Sequence, residues 1–472
     1  MFIVRYSEIG LKGDKTRRNM EQILINNITS CSKSHNIDLK YSKTDGRIFL
    51  YTDNDDFLYE ILPKIFGIKS FSYAYEYKFD NIDTIAAMAR EKFYDSVKNR
   101  KFAVIATRKG VHSFTSRDVE VKIGDALYNN SAGVDLDNPD IKIYAEIRDN
   151  KLYLFTEKIA GPGGLPLKSE GKAISLFSGG IDSPVATYMI MKRGVACDLL
   201  FCSLAHPADT VYMLRVAKNL LDQYSRGYNN RIFILDGSTL ITEIIKNPAH
   251  KFSNLIFKEL LYEYAQNLCI EYGYNGIVTG ESIGQVSSQT PENIEAMSRD
   301  IHYPVYRPLI GFDKEETINY SKSINLYFSD SIGEFCSLFS KNPGIKVAYH
   351  DLKKEMDKFD LNKYIHEIIV LRKDNMDSYM RSIENRYVNG IPAHCNIIDL
   401  RNSDDYDKWH IAGAVNLNIK DLDSVIEHGD RDKNYLFYCK KGLNSAYAVS
   451  LMLENGYSAF YSTEKSLKKV KN

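Results

Sequence analysis

KAISLFSGGIDSPVATYMIMKRG (residues 172–194) reads as a buried strand, a short loop and a helix. KAISLF is an apolar run of strand length, and SPVATYMIMKRG carries helix-type apolar spacing behind Pro184, which suits a first helical turn. Ser178-Gly179-Gly180-Ile181-Asp182-Ser183 is then the strand-to-helix loop at the carboxyl edge of a sheet, where open α/β folds bind their ligands. Gly179 and Gly180 let backbone N–H groups approach an anion, the helix N-terminus adds its positive end, and Ser178 and Ser183 supply hydroxyl donors. Asp182 either caps the loop or helps to hold Mg²⁺. No lysine follows in the Walker spacing, which argues against a P-loop kinase or GTPase. A plain glycine turn with a Ser/Asp cap is the structural alternative that six residues leave open.

Outward from this loop the pattern repeats. ACDLLFCSL (196–204) and YNGIVTGES (274–282) are further strand runs separated by helical stretches, so the middle of the chain is expected to form a doubly wound parallel sheet. Before it, TRRNMEQILINNI and the alternating KIYAEIRDNKLYLFTE mix helix and strand periods in an α+β manner. After it, NIIDL, YLFYC and SAYAVSLMLENGY point to a small second α/β domain. IAGPGGLPLKSEG (159–171) and RYVNGIPAHCN (386–396) are Gly/Pro joints that divide the chain near residues 170 and 390, and YNNSAGVDLDNPD (128–140) is a turn-rich loop.

The chain has 472 residues, 44% of them hydrophobic, enough for two to four domains with real cores. The 61 basic and 61 acidic residues cancel, so no global field announces a nucleic-acid partner. The first 50 residues carry nine Lys/Arg against five Asp/Glu, and Lys12, Lys15, Arg17 and Arg18 cluster in GLKGDKTRRN. A solvated helix face and a phosphate-contacting patch explain that cluster equally well. Seven cysteines without a C-x-x-C pair speak against a disulfide framework, a zinc ribbon or a cysteine-ligated cluster. MFIVRYSEIGLKG has no long apolar core, and no stretch reaches the ~20 apolar residues of a membrane span, so a cytoplasmic protein without a membrane partner is expected.

The loop matches S-G-G-x-D-S, the PP-loop signature of ATP pyrophosphatases, which cleave ATP between the α and β phosphates to adenylate a substrate. VTGESIGQVSSQTPENI (278–294) and YRPLIGFDKEETI (306–318) resemble the later motifs of the tRNA 4-thiouridine synthetases, or tRNA uracil 4-sulfurtransferases. RYSEIGLKGDKTRRNMEQILINNI resembles that family's N-terminal ferredoxin-like segment. LPKIFGIKSFSYAY and VHSFTSRDVEVKIGDALY resemble its THUMP domain, which grips the tRNA acceptor end. IDLRNSDDYDKWHIAGAVNLNI with FYCKKGLNSAYAVSLMLENGY is similar to the rhodanese domain that some members carry, although many rhodanese loops place an Arg where Asn444 stands. The resemblance covers nearly the whole chain in family order. It implies a ferredoxin-like domain over residues 1–75, a THUMP domain over 76–168, a PP-loop domain over 169–388 and a rhodanese-like domain over 389–472.

It also implies an ATP- and Mg²⁺-dependent enzyme that makes 4-thiouridine at position 8 of tRNA, with AMP as leaving group and sulfur supplied by a cysteine desulfurase. Ser178, Gly179, Gly180, Asp182, Ser183, Gly280 and Gln289 are the expected ATP contacts. Glu281 and Gln285 lie beside them, and Arg307 and Asp313 are weaker candidates. Lys12, Arg17, Arg18, Arg108 and Lys109 are the expected RNA contacts. Lys258-Glu259 replaces a pair that is more usually basic, and Cys202 stands at a more usually polar position.

Cys439 follows a strand run and precedes Lys440-Lys441-Gly442-Leu443-Asn444-Ser445 and a helix. Loop N–H groups and two lysines should lower its thiol pKa and favour a persulfide. Cys336 matches the family's second cysteine. Either it forms a disulfide with Cys439, which a thiol reductant resets, or hydrosulfide is released; the resemblance favours the disulfide. Asp182, Cys336 and Cys439 are thus the catalytic candidates, and no protein metal centre is expected. Two rival readings remain: a persulfide carrier toward the thiazole of thiamin without RNA catalysis, and a non-catalytic tRNA-binding protein.

Overall fold

The computed structural model describes residues 1–472 apart from 7, 45, 204–206, 247–251, 329–343, 361–367 and 470–472, and apart from the side chains of 207, 208, 238, 239, 242, 245 and 420. It divides into two units, Met1–Ser169 and Glu170–Asn472.

In the first unit an antiparallel sheet runs in the order Ile159–Ala160, Ser70–Tyr73, Phe2–Arg5, Arg47–Tyr51, Lys40–Thr44. Strand alternation sends Phe2 and Val4 into the core under the helix Asp14–Ser34, whose Met20, Leu24, Ile25, Ile28 and Cys31 form its buried stripe. Ile3 faces the other way, into a small cluster with Phe49 of the same sheet, Ala74, and Tyr153 and Phe155 of the second sheet. That sheet has the order Tyr75–Lys78, Lys151–Phe155, Ile141–Arg148, Lys101–Lys109, Gly133–Val134. Its helices Ile82–Phe93 and Ser116–Tyr128 each begin with a capping box, Asn81/Thr84 and Thr115/Asp118. Between the two sheets the buried Glu146 carboxylate accepts from Arg47 at 2.9 Å and Arg148 at 2.8 Å, with Arg5 at 3.4 Å.

The turn-rich stretch 128–140 contributes the short strand Gly133–Val134. The segment expected to end the second module, around residues 159–167, returns to the first: Ile159–Ala160 extends the first sheet, Leu165 joins its core, and Asn27 donates to the carbonyl of Leu167 at 3.1 Å.

The second unit opens on the expected loop-bearing strand. Its six-stranded sheet runs Val305–Tyr306, Ile277–Val278, Lys172–Leu176, Ala196–Ser203, Arg231–Asp236, Ile368–Arg372. The first five strands are parallel, and Ala196–Ser203 is buried at every position, as a strand covered on both faces must be. The expected doubly wound parallel sheet is present, and it carries one antiparallel edge strand, Ile368–Arg372 beside Arg231–Asp236. An antiparallel edge needs no crossover helix, so the chain reaches the last part of the molecule without another βαβ unit.

That last part is a parallel sheet, Val415–Asn416, Cys395–Asp399, Asn434–Cys439, Ser458–Thr463. The helix Met376–Asn385 packs on both Pro207–Tyr224 and Leu443–Glu454, bridging the two sheets of this unit. Lys218 pairs with Asp377 at 3.1 Å, and Arg215 with Glu384, along that seam. Among the described residues no helix is long and apolar enough to cross a membrane.

One buried acid carries a pH signature. Glu259, in the helix Ser253–Tyr272, is 2% exposed and its Oε2 has no hydrogen-bond partner. Burial, then the nearby Glu263 and Asp300, push its carboxyl up to about 8 from an ordinary 4.5, against the pull of Lys353. The folded chain therefore keeps a proton that the unfolded chain releases, and stability attributable to this group falls as pH rises from about 4.5 to about 8. Glu259→Gln should flatten that fall, by a few kcal/mol at most at the alkaline end given about 1.4 kcal/mol per pKa unit, which urea unfolding at pH 5 and pH 9 measures.

Candidate active site

The Ser178–Ser183 loop is built as a self-bonded turn. Ser183 Oγ accepts from Ser178 N–H at 2.8 Å and lies 3.1 Å from Ser178 Oγ, which in turn accepts from Gly180 N–H at 3.4 Å. Thr187 Oγ1 donates to the carbonyl of Ser183 at 2.7 Å and tethers the first helical turn. The helix Asp182–Lys192 starts within the motif, so its free N–H groups and positive end face the loop. A Cβ at Gly180 would meet only Ser178 Oγ, at 3.6 Å, so the glycine is not needed for the turn itself; the missing side chain leaves the backbone approachable.

Asp182 is the charged group of this loop. Its carboxylate accepts from Gln285 Nε2 at 2.8 Å and from Lys314 Nζ at 3.1 Å. Sequence reasoning named Gln285 and Asp313 but not Lys314. Asp313 caps the helix Lys314–Ser323 in a capping box with Glu316, and this fixes the first-turn position from which Lys314 reaches Asp182. Gly280 permits the closest approach in the site: a Cβ there would lie 2.8 Å from the Asp182 carbonyl carbon and the Ser183 nitrogen.

The next residue, Glu281, is 3% exposed and collects Tyr262 Oη at 2.6 Å, Arg307 Nε at 2.9 Å and Lys258 Nζ at 3.3 Å. Burial opposes its ionisation, but Lys258 and Arg307 outweigh it and hold the carboxyl below the usual range. Gln289 braces the same turn, its Oε1 accepting from Ser282 N–H at 3.4 Å and its carbonyl from Gly284 N–H at 2.9 Å.

These residues surround a cavity of about 350 Å³. Ser178, Gly179, Gly180, Asp182, Ser183, Gly280, Gln285, Gln289 and Lys314 line one part of it, and Leu176, Leu200, Cys202, Phe257 and Leu261 supply apolar walls elsewhere. All seven residues expected to touch ATP are therefore brought to one cavity. Among the described residues no His/Cys/Asp/Glu cluster can hold a metal ion. Asp182 alone still suits Mg²⁺ bound mainly through nucleotide phosphates, which asks for one or two protein carboxylates.

Cys439 ends the strand Asn434–Cys439 in a second built loop. Its Sγ accepts from Gly442 N–H at 3.1 Å and lies 3.4 Å from Ser445 Oγ. Gly442, at φ +98°, turns that N–H inward from the left-handed region that glycine tolerates. The expected fall in thiol pKa is corrected. Cys439 is 5% exposed, and burial pushes the thiol up although Ser445 and Gly442 oppose it. Lys440 points outward to Asp405 at 3.4 Å and Lys441 is exposed, so neither lysine offsets the desolvation.

Asp236, at the carboxyl end of its strand, acts electrostatically on both Cys439 and Tyr379 of the bridging helix. Arg231–Asp236 lies two strands from Lys172–Leu176, or about 10 Å at ordinary strand spacing. The helix behind Cys439, Leu443–Glu454, and the helix that follows Ala196–Ser203, Pro207–Tyr224, both pack on Met376–Asn385, so the sulfur loop and the glycine loop belong to one unit.

Cys336 lies outside the described residues. Lys12 and Arg18 are exposed beside and on the helix Asp14–Ser34, where Arg17 pairs with Asp14. Arg108 and Lys109 end a strand of the other sheet, with Arg108 Nη1 on the carbonyl of Gly110 at 3.3 Å and on His112 at 3.1 Å.

Family profiles match along the chain: the ThiI ferredoxin-like domain over residues 1–72, the THUMP domain over 76–157, thiamine biosynthesis protein (ThiI) over 168–361 and the rhodanese-like domain over 384–472. A tRNA sulfurtransferase of Thermoplasma volcanium is 41% identical over 470 residues, covering 100% of this chain and 97% of its own. Another, of Pyrobaculum aerophilum, is 35% identical over 480 residues, with 100% and 97% covered. Among solved structures, a 4-thiouridine synthetase–RNA complex with bound ATP superposes with TM-score 0.67 at 30% identity, covering 79% of this chain and 98% of that one.

Two outcomes follow from the site. Gly280→Ala forces the two loops apart and should weaken ATP binding by about tenfold or more, read by equilibrium titration, and lower stability by about 1–3 kcal/mol, read by urea unfolding. Cys439, buried and with a raised pKa, should react with a maleimide at pH 7 at least about tenfold more slowly in the folded chain than in urea, read by mass spectrometry.

Proposed function

The chain belongs to the ThiI family of tRNA sulfurtransferases, and from that premise we propose that it makes 4-thiouridine at position 8 of tRNA by activating uridine O4 with ATP and replacing it with sulfur carried on Cys439. The observation that carries this reading is the packing of the helix Met376–Asn385 on both Pro207–Tyr224, from the nucleotide-loop sheet, and Leu443–Glu454, behind Cys439, which joins the sulfur loop and the nucleotide loop in one unit. A pure carrier would have no use for that arrangement.

Uracil O4 is a poor leaving group. Attack of O4 on the α phosphate of ATP expels diphosphate and converts the oxygen into part of AMP. The N–H groups of residues 178–183 and the ammonium of Lys314 are in position to meet charge developing on the phosphates. Asp182 orients Lys314 and Gln285. Mg²⁺, held by the phosphates with Asp182 as the protein carboxylate, would supply further charge neutralisation.

The persulfide on Cys439 then displaces AMP at C4, leaving a mixed disulfide between Cys439 and the base. Cys336 attacks Cys439 Sγ, the S–S bond breaks, and 4-thiouridine leaves with the outer sulfur. The electron pair is balanced by a Cys336–Cys439 disulfide, which a thiol reductant returns to two thiols. A cysteine desulfurase supplies the sulfur. Since Cys439 is buried in the docked arrangement, loading requires the loop to become exposed.

We place the four modules at residues 1–75, 76–168, 169–388 and 389–472, with 159–167 also closing the first sheet. Lys12, Arg17, Arg18, Arg108 and Lys109 are assigned to RNA phosphates, which makes binding salt-sensitive. The cytoplasm, where tRNA and a reducing thiol pool coexist, is the assigned location.

A second reading, sulfur carriage toward thiamin thiazole, is favoured by the ThiI profile's own description as a thiamine biosynthesis protein. One assay separates them: 4-thiouridine formation on unmodified tRNA with ATP, Mg²⁺, cysteine and a desulfurase. Wild type should thiolate, while Asp182→Ala and Cys439→Ala should each lose at least about 100-fold, the range expected when a group acting in the transition state is removed. Loss in Cys336→Ala supports the disulfide, and its retention points to hydrosulfide release. Absence of thiolation by wild type, with Cys439 still accepting labelled sulfur, would leave only the carrier.

A further inference from the structure

One buried amide in the nucleotide cavity is used by nothing so far described. Asn254 lies in the first turn of the helix Ser253–Tyr272, is 6% exposed, and its Oδ1 has no hydrogen-bond partner. It does not cap the helix, whose start carries no side-chain cap. An unmet buried amide costs about 1–3 kcal/mol, so its presence in a cavity wall asks for a ligand.

Asn254 also stands in the wall of that cavity. Asn254, Phe257, Lys258, Leu261 and Tyr262 all line the cavity and fall at i, i+3, i+4, i+7 and i+8, a single helical face. Tyr262 and Lys258 bind Glu281, next to the Gly280 that abuts Asp182 and Ser183, so this end of the face belongs to the phosphate loop. Asn254 lies four residues before Lys258 and eight before Tyr262, about 6 and 12 Å along the axis. Phe257 and Leu261 on the same face, with Leu176, Leu200 and Cys202 opposite, make the intervening walls apolar.

A nucleotide anchored by its phosphates at residues 178–183 would lay its base among those walls. An exocyclic amino group buried there must find an acceptor. Adenine presents a 6-amino donor, whereas guanine and hypoxanthine present an acceptor at the same place. Oδ1 and Nδ2 of the Asn254 amide are nearly alike in outline, so a half-turn exchanges them and changes which atom faces the cavity without displacing a wall.

We propose that Asn254 reads the 6-position of the purine, its Oδ1 accepting from the amino group of adenine, and so selects ATP over 6-oxo purine triphosphates. The proposal rests on the assignment of the cavity to ATP.

The test is equilibrium binding of ATP, purine riboside triphosphate (which lacks a 6-substituent), ITP and GTP to the full chain, as wild type, Asn254→Leu and Asn254→Asp. Wild type should prefer ATP by about tenfold over purine riboside triphosphate and by more over ITP and GTP. Asn254→Leu, of similar size, should lose about tenfold for ATP and stay within about twofold for purine riboside triphosphate. Asn254→Asp, which keeps an accepting oxygen, should retain the preference and supplies the answer if the leucine variant does not fold. Equal weakening of both nucleotides in Asn254→Leu, or no change in either, overturns the proposal. Equal binding of all four by wild type overturns it while sparing the cavity assignment, and binding of none overturns both.

Discussion

A single carboxylate, Glu281, ties together the walls of the nucleotide cavity. It is buried, and Tyr262 and Lys258 reach it from the helix Ser253–Tyr272 while Arg307 reaches it from the strand end at Val305–Tyr306. Arg307 also donates to Ser298 Oγ at 2.6 Å, which brings the helix Pro291–Ser298 into the same network. A charge so placed is tolerated only because its partners are all present, and removing one would leave the others buried and unpaired. The gain is positional. Gly280 precedes Glu281 directly, so anchoring the carboxylate also holds the backbone that touches Asp182 and Ser183. The geometry of the glycine loop is inherited from an ion pair outside it.

The two chemically active loops solve opposite problems. Around Asp182, charge is supplied: a carboxylate, an ammonium and helix-terminal N–H groups converge on a cavity. Around Cys439, charge is withheld. The sulfur receives N–H and hydroxyl contacts suited to an anion, yet burial keeps the thiol protonated. Such a loop protects a thiol at rest and stabilises an anionic sulfur once solvent or a donor has reached it. Tyr379, fully buried on the bridging helix, contacts this loop through the carbonyl of Leu443 at 3.4 Å. The helix is held mainly by its buried Met376, Tyr379, Met380 and Ile383, and the pairs Lys218–Asp377 and Arg215–Glu384 each add about 1 kcal/mol or less.

Much of this was legible in local chemistry. The order of modules, the strand-loop-helix around Ser178–Ser183 and the loop after YLFYC all depend on residues adjacent in sequence. Gln285 and Gln289 were legible for the same reason, lying in one short segment after a strand. Lys314 was not, because its partner Asp182 is 132 residues away and nothing in FDKEET distinguishes a site lysine from a helix-surface one. Asn254 gave no signal either: a polar residue at a helix start is ordinary until its burial and lack of partners are known.

By itself, the sequence determined which groups are available and the local frame that holds them: a side-chain-free loop at a helix N-terminus, a thiol at a strand end, and apolar periods that make each strand and helix. These follow from short-range sterics and hydrogen bonding, which act over a few residues. Only the tertiary structure decided what each group experiences. It turned the final sheet strand antiparallel, returned residues 159–167 to the first sheet, paired Asp182 with Lys314, and raised rather than lowered the Cys439 thiol pKa. Coulombic partners and loss of water are properties of neighbours in space, and the neighbours that matter here come from distant parts of the chain.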